Sequence, residues 1–257
     1  MNKFFKTLYI TIILLFLYFP LIIVAVYSFN STKSTTLWGG VTFDWYIKLF
    51  SNKSIISALL NSILLTVIVT VLSVILGTLG SIALNRFKTK LTKIFFPLVY
   101  LPVLTPEIIV GIAFLQIFSM LDLKFGLATL ILSHISFCVP FVMIVVSARL
   151  NSLQNNLEEA ARDLGASVWQ AFFHITIPEL LPGIISGAAL AFIMSFDDVI
   201  ISFFMSGATV TTLPVKVYSM MKVGVSPEIN ALSTIVLLIT FVCVIVINVK
   251  KPTKNLL

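Results

Sequence analysis

The sequence predicts an all-α integral membrane protein with six transmembrane helices and with both termini in the cytoplasm. Its 257 residues are 59% hydrophobic and only 11% charged, whereas soluble domains average about 45–50% apolar and about 25% charged residues. The mean hydropathy is +1.10. Six runs with few or no charges are each long enough to cross a bilayer, which takes about 20 apolar residues in a helix. This composition excludes a disordered chain, and the two cysteines exclude a disulfide scaffold.

The six predicted spans follow one another within a single transmembrane domain, residues 1–257. All are too long for buried strands and lack the alternation typical of strands, which favours helices. The first run is also longer than the apolar part of a cleaved signal peptide, so we expect it to be retained. The predicted spans are residues 8–29, 55–84, 94–121, 125–148, 183–206 and 231–249, with a cytoplasmic loop at 149–182.

The placement of lysine and arginine predicts the orientation of these spans. With six spans, the termini and the loops at 85–93 and 149–182 share one side and carry 11 of the 17 basic residues. Short cytoplasmic loops are enriched in lysine and arginine, so this side is expected to be the cytoplasm. The net charge of +7 is therefore attributed to the lysines and arginines of the cytoplasmic loops of a protein surrounded by membrane lipid. No nucleic-acid partner is expected.

The 149–182 loop is predicted to form two short helices joined at Gly165. Asn156 with Glu159, and Ser167 with Gln170, have the spacing of capping boxes at two helix starts. Gly165 lies where the first helix would end, because glycine accepts the left-handed conformation that follows many helices.

The second helix of this loop is expected to present an apolar face. Val168, Phe172 and Ile175 recur at helical spacing, and Pro178 would end the helix. An exposed apolar face of this kind suits docking on another protein. The spacing is equally compatible with a loop that packs on its own bundle.

Three Asp or Glu residues and no Lys or Arg lie within the predicted spans: Glu107, Asp197 and Asp198. At 1.5 Å per helical residue, Glu107 and Asp197 both lie about 21–22 Å from the cytoplasmic end of their span. No lysine or arginine lies in any span to neutralise them. Charges within a membrane usually line a path or pair with another group. The sequence therefore predicts a path for a cation.

Which of these carboxylates would face the path is left open by the sequence. Asp197 and Asp198 are about 100° apart on a helix, so one could bind while the other bonds to backbone or is protonated. Pro102 and Pro106 predict a break in the third span. Thr105 as N-cap and Pro106 as the first helical residue would restart the helix. Glu107 then either lines the path or only stabilises the restarted helix.

Two further residues have alternative interpretations. Trp45, in the first outer loop, is either part of an interfacial aromatic belt or a wall for an ammonium group or alkyl chain. His134, in the fourth span, is expected to be packed and hydrogen-bonded rather than a proton relay. The sequence has no phosphate-binding loop, zinc-ligand spacing or nucleophile elbow. We therefore expect no catalytic residue, metal or cofactor in this chain.

Residues 159–178 carry a resemblance to a known family. Glu159-Ala160-Ala161, three residues, Gly165, nine residues and Ile175-Thr-Ile-Pro178 resemble the EAA loop of bacterial ABC-importer permeases, E-A-A-x3-G-x9-I-x-L-P. The only departure is isoleucine at 177, where leucine is usual. The resemblance implies a type I ABC importer permease fold, in which these six named residues contact a cytoplasmic ATPase. It also implies that ATP and Mg are bound, and ATP is hydrolysed, by that partner.

Residues 133–141, 195–199 and 213–231 are similar to the permease subunits of spermidine/putrescine importers. This similarity implies a channel-forming subunit in the inner membrane that imports polyamines. The implied partners are a second permease subunit, two ATPase subunits and an extracytoplasmic polyamine-binding protein. One alternative is an ABC permease for another substrate, such as ferric iron. The other alternative, from a different class, is a cation carrier driven by ion gradients. Many such carriers contain an inverted repeat, and none is visible in this sequence, which argues against this alternative.

Overall fold

A computed structural model describes residues 3–33, 37–87, 89–153, 156–224 and 226–250, and most of these residues are helical. Within these ranges the β structure is an isolated bridge between Asn30 and Val41. The chain divides into two compact units. One comprises residues 1–56 with 216–257, and the other comprises residues 57–215.

The first unit is built around the two ends of the chain. It contains α1 (Lys3–Tyr27), α2 (Asp44–Ser51) and α12 (Pro227–Lys250). Helix α12 packs against α1 and α2, and Asn52 Nδ2 donates to Glu228 Oε1 at 3.0 Å. None of the most apolar stretch of α1 is buried within the chain, as expected for a helix that contacts lipid or another subunit.

The second unit holds most of the remaining helices, and α3 and α11 each cross the boundary between the units. Its helices, in chain order, are α3 (Lys53–Arg86), α4 (Lys90–Leu104), α5 (Glu107–Met120), α6 (Leu127–Ser152), α7 (Asn156–Asp163), α8 (Val168–Ala171), α9 (Ile177–Asp197), α10 (Ile200–Met205) and α11 (Leu213–Val223).

Several of the described helices are suited to crossing a membrane. Four are long and apolar enough: α1, α3, α6 and the continuous helical run Val168–Asp197. Helices α4 and α5 provide a fifth if they form one span, bent by 108° at their junction. The described apolar part of α12, Pro227–Val242, is shorter. The predicted all-helical, multi-pass membrane protein is confirmed, whereas the count of six and the cytoplasmic termini stay predictions.

The break in the third span is confirmed, but its capping differs from the prediction. Helix α5 starts at Glu107, one residue later than expected, and Pro106 precedes it. Thr105 ends α4 instead of starting α5, because its hydroxyl donates to the carbonyl of Leu101 at 2.6 Å. Glu107 lies in the first turn of α5, where a negative charge is stabilised by the helix dipole.

The prediction that Pro178 ends a helix is wrong. Residues Phe172–Thr176 form a π-helical turn, and α9 follows from Ile177 with Pro178 in its first turn. The amide of Ile177 donates to the carbonyl of Phe172, five residues back. This wider turn shifts the hydrogen-bond register, so the missing N–H of proline is tolerated. The helix that contains the predicted fifth span therefore begins before residue 183, and the bounds of the span itself stay a prediction.

Helix α6 is packed closely between α3 and α9 through small residues. A Cβ added to Gly77 of α3 would lie 2.7 Å from Val142 Cβ and 3.3 Å from the Val139 carbonyl oxygen. A Cβ added to Gly187 of α9 would lie 3.2 Å from Val142 Cγ1. In lipid the hydrophobic effect does not drive helices together. Close van der Waals contacts at small residues, such as these glycines, drive helix association instead.

We expect Gly77→Ala to destabilise the second unit by about 1–3 kcal/mol, because the added methyl overlaps Val142 and approaches the α6 backbone. Thermal unfolding in detergent would measure the change. As a control, Gly77→Ala combined with Val142→Ala should lose less than the sum of the single variants. Additive losses would contradict a direct contact at this position.

Candidate functional site

The three predicted acidic residues gather where two helices break. Helix α5 packs against α10, and a Cβ added to Gly111 would lie 2.8 Å from the Phe204 ring. This close packing brings together the starts of the two helices. As a result, the carboxyl group of Glu107 lies within electrostatic reach of those of Asp198 and Asp197.

Asp198 is buried and serves the fold. Asp198 is 5% exposed and lies between the end of α9 and the start of α10. Its Oδ1 accepts a hydrogen bond from the amide of Ile201 at 3.1 Å, and its Oδ2 accepts one from Ser202 at 2.6 Å. These contacts satisfy amides at a helix start, as a capping side chain does.

The side chain of His134 lies next to this buried carboxylate. Its Nε2 lies 3.4 Å from Asp198 Oδ2 and 3.2 Å from Ser202 Oγ. Its Nδ1 lies 3.1 Å from Ser195 Oγ. The prediction of a packed, hydrogen-bonded histidine is confirmed. Its partners were missed, although Ser195, Asp198 and Ser202 recur every three or four residues, which is the spacing of one helix face.

Asp197 and Glu107 are the accessible members of this group. Asp197 is exposed and Glu107 is half-buried. Within the described part of the chain, Asp197 forms no ion pair with a basic residue. The two adjacent aspartates therefore differ sharply: Asp198 is satisfied by its own chain, whereas Asp197 has a charge available to another molecule.

Trp45 lies in the first unit and is part of that unit's packing. It is 6% exposed, and its indole N–H donates to the carbonyl of Asn30 at 2.7 Å. The ammonium group of Lys48 lies 4.6 Å from the centre of its ring, a cation–π distance. The role of Trp45 as a wall for a ligand stays a prediction.

The predicted turn at Gly165 is confirmed. Its φ is +92°, in the region that favours glycine. The amide of Gly165 donates to the carbonyl of Arg162 at 2.9 Å, and that of Ala166 donates to Ala161 at 3.0 Å. This pair of bonds is a Schellman motif, which ends α7 and satisfies its last carbonyls.

The helix after the turn also starts as predicted, with a reciprocal capping box between Ser167 and Gln170. We call residues 156–178 the elbow. Several of its large apolar side chains are strongly exposed, with Leu164 90%, Trp169 72% and Phe173 58% accessible, whereas Phe172 is half-buried. Of the residues expected to contact an ATPase, Ala161 and Ile175 are half-buried, and the others, Glu159, Ala160, Gly165 and Pro178, are exposed.

Several relatives of this chain are permease proteins of transport systems. The chain is 38% identical to the spermidine/putrescine transport system permease protein PotC of Escherichia coli K12, over 92% of this chain and 90% of that protein. It is 33% identical to PotC of Haemophilus influenzae, over 95% and 96%. It is 40% identical to the putrescine transport system permease protein PotI of E. coli K12, over 86% and 82%.

Solved structures with a similar fold are also ABC transporters. A bacterial transporter that imports the acidic polysaccharide alginate aligns with a TM-score of 0.73 and 18% identity, over 98% of this chain and 96% of that one. An amino acid ABC transporter with histidines aligns with a TM-score of 0.61 and 17% identity, over 80% and 98%. At these identities the comparison establishes the fold alone.

The family assignment rests on most of the second unit and most of α12. Residues 73–249 match the family described as the binding-protein-dependent transport system inner membrane component. Its members are transport subunits rather than enzymes. Together with the relatives that align over nearly the whole chain, this match shows that the chain belongs to the family of binding-protein-dependent transport permeases of the inner membrane.

Proposed function

We propose that this chain is a channel-forming permease subunit of an ATP-driven importer that moves spermidine or putrescine into the cytoplasm. The observation that carries the proposal is the group of acidic side chains at two helix breaks, in which Asp197 is exposed and has no basic partner among the described residues. The names of relatives that are 33–40% identical support the same substrate class.

The chemistry of the proposed site matches a polyamine. Polyamines are slender chains with two or three ammonium groups, and charge-assisted hydrogen bonds from ammonium to carboxylate are strong. We assign Asp197 and Glu107 to the path. Asp198 acts indirectly, because its hydrogen bonds to Ile201 and Ser202 hold the helix break that exposes Asp197.

The proposed topology has six spans, with α12 as the sixth and with both termini in the cytoplasm. The elbow then faces the cytoplasm, where its exposed apolar residues and the EAA residues dock in an ATPase. Two ATPase subunits bind ATP and Mg, a second permease subunit completes the path, and an extracytoplasmic protein delivers the polyamine. Closure of the ATPases moves the elbows and switches the path from outward- to inward-facing.

The function is tested by uptake into proteoliposomes that contain this chain with its partner permease and ATPase, with the binding protein added. We expect ATP-dependent uptake of labelled spermidine that excess unlabelled putrescine competes with and that ferric iron and sulfate do not. An ATPase-inactive complex is the control. Accumulation by that complex would indicate a gradient-driven carrier instead, and competition by ferric iron alone would assign a metal substrate.

The two aspartates should respond differently to removal. We expect Asp197→Ala to lower spermidine uptake about tenfold or more, since a charge-assisted contact is lost, while thermal stability is unchanged. Asp198→Ala should instead lower stability by about 1–3 kcal/mol, because two amides and His134 lose their partner. Thermal unfolding and uptake are measured on both. The assignment is wrong if the two variants exchange these phenotypes.

The turn at Gly165 should be required for ATPase docking. An aspartate with φ of +92° is strained by about 1 kcal/mol or more, although its Cβ would meet nothing within 4 Å. We expect Gly165→Asp to abolish co-purification of the ATPase while membrane insertion is retained. Gly224→Asp is the matched control, because Gly224 has φ +135° with equally open space in a proposed outer loop. Normal co-purification with Gly165→Asp would contradict the prediction.

A further inference from the structure

The cytoplasmic end of α3 is attached to the elbow through one carboxylate. Arg86, the last residue of α3, forms an ion pair with Glu158 in the first turn of α7. The hydroxyl of Thr176 donates to the same oxygen of Glu158 at 2.9 Å. The guanidinium of Arg86 also lies 5.8 Å from the centre of the Phe172 ring. Glu158 thus contacts α3 and the π-helical turn at once.

We propose that Glu158 is a positioning residue for coupling, which fastens the elbow to α3 so that displacement of the elbow moves this span. The inference rests on the proposed function, because it takes the elbow as the part that the ATPase moves. It assigns a role to the residue that precedes the EAA motif, on the side of α7 that contacts its own chain.

The geometry favours positioning over a contribution to stability. The side chains of Arg86 and Glu158 are 37% and 28% exposed, and ion pairs that accessible add little to folding stability. Both charges lie where helix dipoles favour them, the cation at the C-terminal end of α3 and the anion at the N-terminal end of α7. The pair therefore defines where the two helix ends meet.

Among the ion pairs and side-chain hydrogen bonds of the described residues, the contact between Arg86 and Glu158 is the one that joins α3 to α7. The elbow continues covalently into α9, but the chain between Arg86 and Glu158 passes through α4, α5 and α6. Within the described ranges, the other ion pair nearby joins Arg149 of α6 to Glu179 of α9 at 3.2 Å and does not involve α7. Without this contact, motion of the elbow would reach α9 directly and α3 only through packing.

The test measures the polyamine taken up per ATP hydrolysed by the complete complex in proteoliposomes. We expect Glu158→Gln and Arg86→Gln each to lower this ratio at least about fivefold, the lower end of typical coupling between sites, with ATPase co-purification unchanged. The exchanged pair Arg86→Glu with Glu158→Arg should raise the ratio above that of either single variant. Lys90→Gln removes an exposed charge from the same cytoplasmic stretch and should leave the ratio at the wild-type value.

A wild-type ratio in Glu158→Gln would overturn the proposal, as would an exchanged pair no better than the single variants. Failure of the proposed function gives a different result, since the wild-type complex would then not take up polyamine. If that complex transports another substrate, the ratio for that substrate tests Glu158 in the same way.

Discussion

The burial of the Asp198 carboxylate is the constraint on which the rest of the site depends. A charge removed from water at membrane depth must be matched by hydrogen bonds or an ionic partner. Here two amides at the start of α10 and the ring of His134 meet that need. They can do so only if the helix stops after Asp197 and α6 lies alongside. The exposure of Asp197 is a consequence of the same arrangement.

The packing around α6 limits which parts of the second unit can move independently. Val142 lies against Gly77 on one side and Gly187 on the other, and Ser81 Oγ donates to the Met143 carbonyl at 3.0 Å. Closely packed interfaces of this kind resist gradual deformation. Changes of shape are therefore expected at the breaks near residues 105 and 198, where helical hydrogen bonding is already interrupted.

The sequence predicted what depends on local chemistry. The break before Glu107, the turn at Gly165 and the capping box at Ser167 each follow from residues within a few positions of one another. The sequence could not separate Asp197 from Asp198, because the difference depends on where the helix breaks and on His134, which lies on another helix. It also placed a helix end at Pro178, because proline usually breaks a regular α-helix, and the π-helical turn that accommodates it has no comparable sequence signal.

The absence of a helix end at Pro178 has a mechanical consequence. Residues Val168–Asp197 form one helical run of 30 residues, which is about 45 Å long at 1.5 Å per residue. The second half of the elbow and Asp197 thus occupy opposite ends of one continuous helical run. Tilting this run, together with the α6 that packs against it, by about 10° about its elbow end would swing the other end through about 8 Å, more than the length of a carboxylate side chain. A small movement at the elbow end is thereby enlarged at Asp197 without any relay of side chains.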